Sequence, residues 1–149
     1  MNRATPTERD LTARLIALET KRGKNPRDQN PAAFLICGKL RLHLATFMGF
    51  AGFRALLVRA LALAAADAPW LGAVQVQGDG TLAWKDGIHP PLAAKESGEG
   101  TALIVAYLLG LLTAFIGEGL TLQMVSEVWP GLNRLESKAR KGKNEKSNH

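Results

Sequence analysis

A single cysteine, Cys37, leaves no partner within the chain for a disulfide. The fold must therefore hold by packing, and the usage fits a reducing compartment. The opening residues, MNRATPTERDLTARL, carry no apolar run behind their first charges, so no secretory leader is expected. Cytoplasm is the default location. Histidine is scarce too, and no two of His43, His89 and His149 stand at metal-ligand spacing on one element. Neither a dinucleotide fingerprint nor a P-loop signature occurs, so no cofactor and no metal are expected. Cys37 and His43, the one pair suggestive of a thiol nucleophile and its base, lie six positions apart on one expected helix. They point in different directions, so Cys37 reads as a small core residue and His43 as solvated. These absences make an enzyme the less favoured class.

Acidic side chains are also few, 13 against 19 lysines and arginines, giving a net charge of +6. The excess is not spread evenly. Residues 1–31 hold seven basic and four acidic side chains, residues 32–133 six and seven, and residues 134–149 six and two. The middle is thus nearly neutral, and the basic ends could attract a polyanion. The tail RLESKARKGKNEKSNH contains no aromatic residue to stack on a base, so it reads as a solvated, disordered tail and nucleic acid is an unlikely partner.

What the chain does contain is helical periodicity. Thr5 followed by Pro6 and Glu8 makes a capping box, and Leu11, Leu15 and Leu18 recur at helical spacing up to Gly23. This amphipathic helix either docks on the body or pairs with a second copy. The polar stretch GKNPRDQNP reads as a linker. A second helix opens at Asn30-Pro31, with Ile36, Leu40, Leu44 and Phe47 as its core stripe and Lys39, His43 and Thr46 on another face. Gly49 and Gly52 mark a tight corner, and a third helix, with Phe53, Leu56, Leu57, Ala60, Leu61 and Ala64 as its wide apolar face, runs to before Pro69. Helices two and three form an αα-hairpin.

AVQVQGDGTLAWK alternates on both sides of a glycine turn, the pattern of a β-hairpin. A two-residue loop would put the valines and Leu82/Trp84 on opposite faces. A three-residue loop, Gly78-Asp79-Gly80, pairs Val76 with Leu82 and Val74 with Trp84 and makes one apolar face. The second register is expected, with Gly80 left-handed and Asp79 a turn residue. Asp86 to Gly100 reads as a loop.

Gly100 to Gly117 contains no charge. Eighteen helical residues span about 27 Å, just short of the ~30 Å of a bilayer core. A span near residues 101–123 would draw Glu118 toward lipid, and either orientation would carry charged sequence across. The helices and hairpin before it all need an apolar partner, so a soluble core helix is the favoured reading and a single-pass span the alternative. Glu118, flanked by glycines, either sits at a helix junction near solvent or is buried against a cation. Arg54 and Arg59 are then its partners, and the trio is the one speculative catalytic carboxylate site.

The blocks CGKLRLHLATFMGFAGFRALLVRALALAAADAPWLGAVQVQGDGTL and LLGLLTAFIGEGLTLQMVSEVWP resemble a set of short uncharacterised bacterial proteins over about residues 34–130. The resemblance implies a bacterial, cytosolic, non-enzymatic protein and brings no functional residue with it. The expectation is therefore a mainly helical α+β fold: an αα-hairpin, one β-hairpin and a long hydrophobic C-terminal helical segment. Residues 1–30 form an N-terminal helix and linker, 31–130 a single globular domain and 131–149 a basic tail. The function expected is that of a small protein-interaction or regulatory module that binds a protein partner or itself. A membrane protein, and an enzyme using Glu118 with an arginine, are the alternatives.

Overall fold

A computed structural model describes residues 6–21, 31–87 and 94–132. The Thr5 cap, the 22–30 linker, His89 and nearly all of the basic tail lie outside the described residues. The chain is mainly helical with one small antiparallel sheet: α1 (Pro6–Lys21), α2 (Ala32–Asp67), β1 (Val74–Val76), β2 (Leu82–Trp84), α3 (Ala94–Ile116) and α4 (Glu118–Val128).

α2 is not a single rod. Gly49, at φ 76° and ψ 163°, breaks the helix midway in a conformation that glycine alone adopts readily. The ends of α2 then meet. Phe34, near its start, packs on Trp84 with ring centroids 5.1 Å apart, and Trp70, just past its end, lies 6.4 Å from the same ring. A straight helix of 36 residues would separate those ends by about 54 Å.

The sheet takes the expected register: Val74 opposite Trp84, Gln75 opposite Ala83, Val76 opposite Leu82. Val74, Leu82 and Trp84 are buried and Gln75 is exposed, so the apolar face turns toward α2. In the turn Gly80 has φ 86°, and a Cβ there would make only ordinary contact with Arg41 and Phe53 at 3.5–3.7 Å. The backbone conformation, rather than packing, calls for glycine at that position.

α3 is the central element. Ile104 to Leu109, with Leu111 and Leu112, are buried among α1, α2 and α4. It starts earlier than the sequence suggests, since residues 94–100 were expected to be loop and are helical. Gly98 and Gly100 disguise that start. Gly100 has a packing reason to be there, because a Cβ on it would fall 2.1 Å from the Trp70 ring. α1 docks on the body rather than standing apart, with Leu11 and Leu15 buried in the common core.

Among the described residues two helical runs are apolar and long enough to cross a membrane by length and composition alone, 32–67 and 96–116, with mean hydropathies of 1.6 and 1.9. The break at Gly49 leaves α2 in halves of about 26–27 Å, each shorter than a ~30 Å bilayer core. More than half of the α3 run is buried against the rest of the chain.

Candidate functional site

The two glycine breaks lie at one end of the molecule. Gly117, at φ 93° and ψ 156°, ends α3 and starts α4, and its carbonyl accepts the Thr121 amide at 3.1 Å and the Thr121 hydroxyl at 2.8 Å. The two corners are neighbours. Leu44, Phe47 and Met48 from α2 and Phe115, Ile116, Leu120 and Met124 from the α3–α4 corner line a shared apolar socket of about 230 Å³.

Around this socket large apolar side chains face outward: Phe47 is 73% exposed, Phe115 69%, Leu120 58% and Phe50 50%. Phe47 corrects the expected stripe. Ile36, Leu40 and Leu44 are buried as their spacing implies, but the stripe runs past the last neighbouring helix, and its fourth member emerges beside the break. Helical periodicity says which side of a helix is apolar; it does not say where the covering elements stop.

One flank of the apolar end is basic. Arg41 lies over the Phe50 ring, 4.5 Å from its centroid, and its Nε donates to the Asp79 carbonyl. Arg54 Nε donates to the Gln77 carbonyl at 3.1 Å, so both arginines are pinned by the β-turn. Asp79 is occupied within that turn, its Oδ1 accepting from the Thr81 hydroxyl at 2.6 Å and amide at 3.0 Å. Those bonds, the hydroxyl's first, hold its carboxyl below the ordinary range. The other flank is acidic. Glu118 is exposed in the first turn of α4 and shares a cleft of about 240 Å³ with Glu8 of α1.

The candidate trio is therefore not assembled. Arg54 is engaged by Gln77, Arg59 is exposed on α2, and no ion pair among the described residues joins either to Glu118. His43, expected to be solvated, instead faces α4, its Nε2 3.1 Å from Glu127 Oε2. α4 folds back along α2 after Gly117 and brings Glu127 there. Cys37 is buried, and burial pushes its thiol up to about 12, far from a nucleophile's range.

The polar cluster that sequence reading missed is at Glu19. This buried residue accepts the Trp129 indole N–H at 2.7 Å and pairs with Lys39. It ties α1 to α2 and to the residue that follows α4. A signal was present: Leu11, Leu15 and Glu19 recur every four residues, which places the carboxylate on the buried face. Among the described residues no group of three histidine, cysteine or acidic side chains is placed to hold a metal ion.

No family model matches the chain, and no curated protein or solved structure matches it either.

Proposed function

We propose that the protein is a small non-enzymatic interaction module that binds through the apolar end formed by the corners at Gly49 and Gly117. The observation that carries this is the exposure of Phe47, Phe50, Phe115 and Leu120 around one socket; the other exposed large apolar side chains among the described residues, Leu35, Leu42, Val58 and Leu122, do not line it. Contiguous exposed apolar patches on this scale are often functional. On this reading α2 is an αα-hairpin whose corner is the contact element, and α1, α3 and the sheet are its support. The resemblance to short bacterial proteins is consistent with a cytoplasmic, bacterial setting.

A photoreactive phenylalanine analogue in place of Phe115 tests the reading in intact cells, with the same analogue at exposed Ala66 as control. A discrete adduct from position 115 and none from 66 is expected. Equal labelling from both positions, or none from either, removes the reading.

One observation favours a second reading, a single-pass membrane protein spanning near residues 101–123: α3 holds a run of mean hydropathy 1.9. It differs from the first in its partner, lipid around α3 rather than a molecule on the apolar end. Resistance of the protein to alkaline extraction from membranes would favour it.

A further inference from the structure

We propose that a second copy of this chain covers the apolar end. The two copies form a twofold dimer in which Phe50 of each seats in the other's socket and Arg41 faces Glu118 across the interface. This names the partner of the surface put forward above and rests on that reading.

Shape is the first argument. Phe50 stands half exposed just beyond Gly49 and is not part of the socket wall, which Phe47, Met48, Phe115 and Leu120 help to form. A half-exposed ring, backed on one face by Arg41, and an apolar socket on one patch make that patch self-complementary. That is the property a twofold interface requires, since each copy presents the same surface.

Charge is the second. From Ala32 to Ala66 the chain has four basic and no acidic side chains, and two of them, Arg41 and Arg54, are fixed at the β-turn flank of the patch. Glu118 stands on the flank carried by α1, with Glu8 beside it. A twofold axis running between the flanks lays each basic flank on the other copy's acidic one. A bilayer surface matches less well, because seating the whole end on it would bring exposed Glu118 at the start of α4 against an anionic headgroup layer.

Area is the third. The four exposed side chains leave roughly 500 Å² of apolar surface uncovered. The flanking arginines and glutamates carry the patch toward the ~800 Å² per partner of a standard stable interface.

Sedimentation velocity of the full chain over a dilution series tests the proposal. A species of twice the chain mass is expected at the higher concentrations. Phe50→Ser should weaken the dimer at least about tenfold; because dimerisation itself stabilises the fold, the folding of the variant is checked by its circular dichroism rather than by its thermal midpoint. Glu118→Arg should weaken it about tenfold, and Arg41→Glu likewise; combining the two should restore it to within about threefold. Glu118 is exposed, so its variant carries the charge test if Arg41→Glu does not fold. A monomer at every concentration overturns the proposal, as does a dimer indifferent to Phe50→Ser or a double variant that fails to recover. A monomer that floats with vesicles of phosphatidylglycerol and phosphatidylethanolamine also overturns it and assigns the end to lipid. If the chain is monomeric yet position 115 still crosslinks to another molecule, the binding surface stands and the second copy falls. With no adduct either, both fall.

Discussion

Cys37 lies in the core stripe one position after Ile36, 1% exposed, with nothing near it to stabilise a thiolate. Its folded value near 12 lies above the ~8.5 of an unfolded thiol. Whatever stability it contributes is therefore complete below the unfolded value and is lost as pH climbs toward 12. A maleimide at neutral pH should leave the native protein unmodified and label it once urea unfolds the chain. Rapid labelling without urea would place Cys37 outside the core. Gly100 is a residue of the opposite kind, chosen for what it omits. Gly100→Ala sets a methyl group 2.1 Å from Trp70, a ring already stacked on Trp84, and should cost about 2 kcal/mol. Gly98→Ala, in the same turn of helix with open space around it, should instead gain up to about 1 kcal/mol. Urea midpoints of the two variants should move in opposite directions; a shared direction would mean that Trp70 does not sit against Gly100.

Among the elements, those written in local pattern were legible and those written in contact were not. Alternation plus a glycine turn was enough to choose the β-hairpin register, because a slip of one residue would have sent Leu82 and Trp84 to the opposite face from the valines. The corner at Gly49 was visible as an interruption. Its consequence for Phe47 was not, because spacing carries no information about where α3 and α4 end. The start of α3 was missed for a related reason: its two glycines look like loop until Trp70 is placed against one of them. Glu118 was marked as the deciding residue, and the geometry puts it at a junction on the surface. The break at Gly49 itself is open to a direct test. A Cβ there meets nothing within 4 Å, so Gly49→Ala isolates the backbone cost of φ 76°, ψ 163°. That cost should be about 2 kcal/mol, read as a lower denaturant midpoint at constant slope. A neutral result would show that the two halves of α2 do not require this corner.

Across the whole molecule the Glu19 cluster joins parts of the chain 110 residues apart in sequence. Glu19→Ala strands the Trp129 indole N–H and removes the counterion of Lys39, and should cost about 3 kcal/mol. Trp129→Phe loses one hydrogen bond and part of a ring, and should cost less than Glu19→Ala if the charge pairing matters. The reverse order in a urea titration would make Glu19 a packing residue only.

The same interlocking bears on lipid. α3 meets the length and hydropathy of a marginal span, but more than half of that run is buried against the rest of the chain, while Phe115 near its end is exposed. Leu11 and Leu15 of α1, Ile36, Leu40 and Leu44 of the first half of α2, and Phe53 and Leu57 of the second are buried in one cluster with it. Moving α3 into a bilayer would return those faces to water, at about 25 cal/mol for each Å² re-exposed. The structured chain should therefore be released by an alkaline carbonate wash of the membrane fraction, even if its apolar end adheres to membranes at neutral pH. Retention in the pellet after that wash, together with protection of residues 101–116 from a water-soluble probe, would transfer α3 from the core to the bilayer and reassign the exposed faces of α2 as its lipid-facing neighbours.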